Sequence, residues 1–94
     1  MTAEKIYKVI WSPNAQKRLR KMNKTIADDI AEKVEDYLSK TPYSGEPLKG
    51  KEWKGLWKFH YGDYRIIYEI FESKVLIEIF KVSNRKDSYK TMKY

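Results

Sequence analysis

Basic and proton-transferring side chains alternate with aromatic ones in the segment Leu56–Tyr61. Because successive side chains of a strand point to opposite faces, Lys58 and His60 share one face and the aromatic residues share the other. The aromatic face is the natural core, so Lys58 and His60 are expected on the uncovered face of a sheet. Arg65 follows the turn Gly62-Asp63 and is expected near His60 across the resulting hairpin.

Further polar residues follow the last predicted strand, among them Asn84 and Lys86. Three antiparallel strands connected in sequence would return this segment to the region of the hairpin. The residue pattern therefore predicts one cluster on a concave surface, made by Lys58, His60, Arg65, Arg85 and Tyr89.

Such a cluster has the groups needed to cut RNA without a metal. One group must take the proton of the ribose 2′-hydroxyl, one must neutralise the charge on the phosphorane, and one must protonate the departing 5′-oxygen. Lysine and arginine suit the second task, since arginine binds phosphate bidentately. His60 suits the first or the third, and Tyr89 is able to stack on a base or to relay a proton.

The same residues also have ordinary structural interpretations. Lysine and histidine on an exposed strand face are commonly only solvated, and Arg85 with Lys86 also fits a plain basic tail. We interpret Trp53, Trp57 and Phe59 as core residues rather than as platforms for bases.

Other chemistries lack their residues. The chain has one histidine and no cysteine, which disfavours a metal site of nitrogen and sulfur ligands and excludes disulfides. No glycine-rich phosphate loop precedes a helix, no Ser-His-Asp arrangement is visible, and no carboxylate pair is evident on the exposed face. We expect neither a metal nor a cofactor.

The first predicted helix begins at Ser12-Pro13, with serine as the N-cap and proline at the first helical position. Ala15, Leu19 and Met22 then recur on one helical face, and Asn23-Lys24 marks a break.

The second predicted helix begins near Thr25, which has capping-box spacing to Asp28, and ends at Thr41-Pro42. Its apolar stripe repeats every four residues, with Tyr37 among those that widen it. The stripe consists of Ile26, Ile30, Val34 and Leu38. Two helices joined by so short a link predict a helical hairpin.

Strands are predicted before and after these helices, giving the order β-α-α-β-β-β. The predicted strands are Ile6–Trp11, Leu56–Tyr61, Tyr64–Phe71 and Val75–Val82. The fold class is α+β, with an antiparallel sheet packed on an N-terminal helical hairpin. The length of 94 residues predicts a single domain over 1–94.

The charge of the chain favours a polyanionic partner. Twenty Lys and Arg against 13 Asp and Glu give a net charge of +7, and the first 24 residues hold seven basic residues and one acidic residue. The same positive electrostatic field would attract an acidic partner protein. We predict RNA contacts for Lys17, Arg18, Arg20, Lys21, Lys49, Lys51, Lys54 and Lys86, and the family resemblance described below extends this prediction to the ribosome. No apolar run has the length of a signal peptide or membrane span, so a cytoplasmic protein without membrane contact is expected.

Three runs of the sequence resemble RelE-type toxins of bacterial and archaeal toxin–antitoxin modules, in the RelE/ParE superfamily. The runs span residues 47–50, 55–68 and 81–89, and Gly62–Tyr68, with the sequence GDYRIIY, is the most specific part. The likeness covers nearly the whole chain. It implies a microbial RNase-like fold and cleavage of messenger RNA in the ribosomal decoding site, by attack of the 2′-hydroxyl on the adjacent phosphate.

Carried over by position, the resemblance assigns basic catalytic positions to Lys58, Arg65 and Arg85, and a tyrosine position to Tyr89. His60 departs from the family pattern, which more often has lysine or arginine there. Asn84 stands where many relatives carry histidine, which puts a role of that position in doubt.

Two other functions stay open. A ParE-like toxin would bind DNA gyrase and hydrolyse nothing, and a degenerate relative would bind only RNA or its antitoxin. Because these branches share one fold, the fold does not decide among them. In each case the resemblance implies a RelB-like antitoxin partner, acidic and partly disordered when free.

Overall fold

The computed structural model describes residues 5–84. Two α-helices and five β-strands follow one another in the order β-α-α-β-β-β-β, with short 3-10 turns between some of them. Their bounds are β1 Lys8–Trp11, α1 Pro13–Arg20, α2 Lys24–Lys40, β2 Glu46–Pro47, β3 Leu56–Tyr61, β4 Tyr64–Phe71 and β5 Leu76–Asn84. None of the described helices is long and apolar enough to cross a membrane.

The strands form one sheet in the spatial order β1-β5-β4-β3-β2. The predicted α+β class is confirmed, and β3 and β4 have the predicted bounds. The sheet is mixed rather than antiparallel, because β1 runs parallel to β5 while the other neighbours are antiparallel. The two-residue strand β2, absent from the predicted order, extends the edge formed by β3.

The start of α1 agrees with its predicted cap. Ser12 has extended backbone, its hydroxyl accepts the amide hydrogen of Ala15 at 3.2 Å, and Pro13 follows at the first helical position. This serine satisfies one of the amide groups that a helix leaves unpaired at its N-terminus.

The start of α2 differs from the prediction, because Asn23 and not Thr25 is its cap. The Asn23 side-chain oxygen accepts the amide hydrogens of Thr25 and Ile26 at 2.9 and 3.4 Å. Ile26, the first member of the predicted stripe, is 43% exposed. A repeat of four residues drifts by about 40° per step on a helix of 3.6 residues per turn, so Ile26 and Leu38 cannot face the same core.

The hydrophobic core lies between the helices and one face of the sheet, which we call the covered face. In β3 the aromatic residues Trp57, Phe59 and Tyr61 pack against this core, as their alternation predicts. The buried cluster consists of Tyr7, Val9, Ala15, Ile30, Val34, Leu38, Ile66, Tyr68, Ile77, Ile79 and Val82. The opposite face, which we call the open face, carries the intervening residues of β3 and β4.

A β-bulge at Phe80 interrupts the alternation of β5. Ile67 is opposite Lys81 and Tyr68 is opposite Ile79, so Phe80 has no partner on β4. The Phe80 carbonyl instead accepts hydrogen bonds from the Ser12 hydroxyl at 3.2 Å and from the Asn14 side-chain amide at 3.4 Å. The cap of α1 and the bulge of β5 therefore stabilise each other.

Glu72, at the turn between β4 and β5, joins three segments of the chain. The Tyr7 hydroxyl donates to its carboxylate at 2.8 Å, the Tyr43 hydroxyl donates to the same oxygen, and Lys5 lies 3.5 Å from the other oxygen. These bonds, chiefly that from Tyr43, lower the pKa of Glu72. Its carboxylate in turn raises the pKa of Tyr43 to about 12.

Replacing Ser12 with alanine is expected to lower the free energy of unfolding by about 1 kcal/mol, because the α1 cap is lost. Urea denaturation of both proteins measures the difference. Ser73→Ala, in the exposed turn after β4, is the matched control and should stay within about 0.5 kcal/mol of wild type. Equal losses in the two variants would show that Ser12 has no capping role.

Glu72→Gln should lower the melting temperature at neutral pH, by an amount that depends on pH. Since the folded pKa of Glu72 is lowered, its contribution is present above the ordinary value of 4.5 and is lost as pH falls further. Since the pKa of Tyr43 is raised from 10 to about 12, the contribution also declines as pH rises through that range. Thermal melts from pH 3 to pH 11 test this, with exposed Glu32→Gln as the control; a constant difference from wild type would contradict it.

Candidate active site

Polar side chains form two rows on the open face, set by the registers between strands. Neighbouring rows are two residues apart along each strand, a spacing of about 7 Å. The first row contains Glu46, Lys58, Ile67 and Lys81, and the second contains His60, Arg65 and Ser83. Lys58, His60 and Arg65 thus share the face on which their alternation places them, with Arg65 directly opposite His60.

The bulge at Phe80 brings two of these residues to the open face. Without the extra residue, Lys81 and Ser83 would share the face of Ile77 and Ile79, which is the core. With it, Val82 enters the core, and Lys81 and Ser83 lie beside Ile67 and Arg65. The change from a spacing of two to a spacing of three among the apolar residues of β5 is the sequence signal of this bulge.

Glu46 pairs with Lys58 across the edge of the sheet, and sequence reasoning missed it. The two residues are opposite each other in the register, and their charged atoms are 3.6 Å apart. The side chain of Lys58 is 30% exposed and that of Glu46 is 75% exposed, so the carboxylate is open to solvent. The preceding Gly45 allows β2 to approach, because a Cβ there would lie 2.3 Å from the Lys58 carbonyl oxygen.

The second row combines an imidazole, a guanidinium and a hydroxyl. His60 is exposed, Arg65 is half-buried and Ser83 is buried. Within residues 5–84, the Ser83 hydroxyl has no hydrogen-bond partner. The half-buried guanidinium of Arg65 is suited to an anionic oxygen, since it donates charge-assisted hydrogen bonds.

A third row lies farther from the β3–β4 turn and contains Glu69 opposite Glu78. The open face therefore does carry a carboxylate pair, contrary to the sequence interpretation. Alternation within one strand could not predict this pair, because the two residues are nine positions apart and are brought together only by the register between β4 and β5. In the described part of the chain, no group of three or more potential metal-ligating side chains is suitably placed to hold an ion.

An open groove of about 740 Å³ lies along this face. Its floor is apolar, with Leu56, Ile67 and Phe80, while Arg65 and Lys81 supply positive charge. The start of α1 borders it, as does the loop between β2 and β3. The remaining lining residues are Ser12, Pro13, Asn14, Leu48, Lys49 and Trp53. Trp53 is not part of the core, in contrast to its sequence interpretation.

The basic residues predicted to contact RNA form two separate groups. In the first helix, Lys17 and Arg20 are exposed and Arg18 is half-buried, and exposed Lys21 directly follows. Because α1 packs on the covered face, these residues are not part of the groove. The second group consists of Lys49, Lys51 and Lys54, all exposed in the loop that borders it.

Arg85, Lys86 and Tyr89 lie outside the described residues. Their membership in the site stays a prediction, based on the direction in which β5 ends. Asn84, the last residue of β5, is opposite Tyr64 and therefore on the covered-face side of the sheet.

Comparison with solved structures finds the same fold in toxins of toxin–antitoxin complexes. The RelBE2 complex of Mycobacterium tuberculosis matches with a TM-score of 0.77 and 27% identity, over 85% of this chain and 92% of the other. The RelE–RelB complex of Pyrococcus horikoshii matches with a TM-score of 0.69 and 26% identity, over 85% and 96%. A YoeB/ParE toxin of Agrobacterium tumefaciens shares the fold, with a TM-score of 0.65 and 20% identity over 82% and 96%.

Comparison with curated protein sequences finds no match. The family model described as "ParE toxin of type II toxin-antitoxin system, parDE" matches residues 9–89, which is most of the chain. The match includes both helices and all the strands that build the open face. The chain therefore belongs to the ParE toxin family of type II toxin–antitoxin systems, within the RelE/ParE toxin superfamily.

Proposed function

We propose that this toxin is a metal-independent endoribonuclease that cleaves messenger RNA on the ribosome. The observation that carries the proposal is the pair of rows on the open face, where groups that move protons stand beside groups that bind phosphate. Glu46 and Lys58 form the first pair, and His60 and Arg65 form the second. A scissile phosphate between the rows is within reach of both pairs.

In the proposed reaction the ribose 2′-oxygen attacks the adjacent phosphorus as the bond from phosphorus to the 5′-oxygen breaks. The products are a 2′,3′-cyclic phosphate and a 5′-hydroxyl. The Glu46 carboxylate takes the 2′-hydroxyl proton, and His60 gives a proton to the departing oxygen. Lys58 and Arg65 stabilise the charge on the phosphorane. Arg85 and Tyr89 are proposed to complete the site, on the basis of the family pattern alone.

A second function, binding of DNA gyrase without hydrolysis, is favoured by the family model, which carries the ParE name. The same basic surface would bind gyrase as well as the ribosome, because both are associated with nucleic acid. The open-face carboxylate and imidazole have no task in that function. We therefore place it second, and the experiment below separates the two.

We further propose that an acidic, RelB-like antitoxin, partly disordered when free, silences this toxin in the cytoplasm. The net charge of +7 favours such a partner. Two neighbours with more than 25% identity, from Mycobacterium tuberculosis and Pyrococcus horikoshii, are described as toxin–antitoxin or RelE–RelB complexes. Binding would neutralise the exposed lysines and cover the open face, which removes access to the groove.

Arg65→Ala should reduce RNA cleavage by about 10²- to 10³-fold, because it removes a donor that stabilises transition-state charge. The measurement is a map of transcript 5′ ends in cells after induction, for wild type, Arg65→Ala and Arg85→Ala. Lys33→Ala, on the exposed side of α2, is the control and should cut like wild type. New ends inside translated codons, lost in both arginine variants, support the nuclease. Growth arrest without new ends, together with capture of gyrase, would show the second function instead.

Glu46→Gln should slow cleavage of messenger RNA on purified ribosomes by about 10²- to 10⁴-fold, as loss of a general base predicts. Stability should change by no more than about 1 kcal/mol, because the Glu46 side chain that is changed is 75% exposed. An RNA with a 5′-bridging sulfur, which leaves without a proton donor, should restore cleavage by His60→Gln and not by Glu46→Gln. The reverse result would make His60 the proton acceptor and overturn the assignment to Glu46.

A further inference from the structure

The groove has an aromatic wall that the proposed reaction does not use. Trp53 lines it together with Leu48 and Leu56, and its indole packs over the backbone of Gly50. A Cβ at Gly50 would lie 3.1 Å from Cδ1 of Trp53, so the indole lies close against the backbone of Gly50. The φ angle of 105° at Gly50 is the feature that favours glycine at this position.

Backbone hydrogen bonds hold the loop that carries Trp53. The Leu48 amide donates to the Leu56 carbonyl at 2.9 Å, which closes the base of the loop. Within it, the Trp53 amide donates to the Gly50 carbonyl at 3.2 Å and the Lys54 amide donates to the Lys51 carbonyl at 3.3 Å. These bonds hold the backbone of Trp53 at the edge of the groove, which reduces the entropy lost when a ligand binds.

The groove matches a nucleotide in size, shape and charge. Its volume of about 740 Å³ lies within the range of roughly 300–1,000 Å³ for ligand sites. An indole beside apolar side chains suits the face of a base, and Lys49, Arg65 and Lys81 suit the attached phosphates. An acidic peptide would satisfy the cations but would leave the indole and the apolar floor without a complementary group.

We propose that Trp53 is a stacking platform for the base of the nucleotide next to the scissile phosphate. Arg65 and Lys81, which line the same groove, bind the phosphate. This inference deepens the proposed nuclease function and rests on it for the identity of the ligand. It makes Trp53 a positioning residue and not part of the proton transfer.

The three tryptophans of the chain provide the test. Each gives one indole N–H signal in a ¹⁵N-labelled protein, and the three are assigned with Trp→Phe variants. Trp11 bonds to Glu35 and Trp57 packs on the core, so both serve as internal controls. The probe is 2′-O-methyl tetra-adenylate, which has no 2′-hydroxyl and cannot be cleaved by the proposed reaction. We expect the Trp53 signal to shift on titration while the Trp11 and Trp57 signals stay in place.

Affinity measurements on variants complete the test. Trp53→Ala should weaken binding roughly 5- to 100-fold, and Trp53→Phe should retain most of the affinity. Lys81→Met should reduce the slope of log affinity against log salt concentration by about 1, because one phosphate contact is lost. It should have little effect on stacking. Tetraglutamate, which has charge but no base, should bind weakly and leave the Trp53 signal in place.

The inference is overturned if the Trp53 signal does not move at saturation, or if tetraglutamate shifts it equally. Failure of the proposed function is a different result. If no transcript is cut in cells but the oligonucleotide shifts the Trp53 signal, the nuclease assignment is wrong and the nucleotide groove stands. If transcripts are cut and the signal does not move, only the groove inference is wrong.

Discussion

The β-bulge at Phe80 is the constraint on which the open face depends. In a regular strand, alternate residues from Ile77 to Ser83 would all face the core. The extra residue at Phe80 shifts this alternation, so Lys81 and Ser83 lie on the open face instead. The upstream half of β5 therefore supplies the core, and the downstream half supplies both the core and the groove. The bulge also exposes a carbonyl group, which the first turn of α1 satisfies through Ser12 and Asn14. Bulges of this kind re-aim side chains beside functional sites.

The rest of the site follows from pairing at the opposite edge of the sheet. Gly45 lets β2 reach the Lys58 carbonyl, and this contact brings Glu46 opposite Lys58. Behind β2, the closed loop carries Trp53 to the groove. One side of the groove thus depends on the start of α1 and the other on a loop of glycine and lysine. The floor between them belongs to the central strands, so the sheet supplies the base of the groove while a helix start and a loop supply its rims.

Sequence reasoning works here where the relevant pattern is local. The bounds of β3 and β4, and the face on which each of their side chains lies, follow from strict alternation around Gly62-Asp63. Ser12-Pro13 marks the start of α1. Errors arise where two local patterns compete, or where the outcome depends on distant partners. Asn23 caps α2 through a local bond that competes with the Thr25 pattern, and the parallel pairing of β1 with β5 joins residues almost 70 positions apart.

The site shows the same division. Lys58, His60 and Arg65 come together as their spacing predicts, because one hairpin contains all three. Glu46 and Trp53 lie in a segment of glycine and proline without periodicity, so no pattern reveals which face they occupy. The basic residues of α1 form a charge cluster in the sequence, but the packing of that helix separates them from the groove. Charge alone therefore identifies a class of partner and not the surface that binds it.

The position of β5 has a consequence for synthesis of the protein. This strand lies between β1 and β4, although it is the last described strand to be made. A nascent chain that lacks it has two separate edges, no partner for Val9, and no Phe80 or Lys81 to form the groove floor. Vectorial folding from the N-terminus therefore stops at an incomplete sheet until β5 emerges. Completion of the sheet and formation of the groove floor are therefore a single event, since both require the same strand.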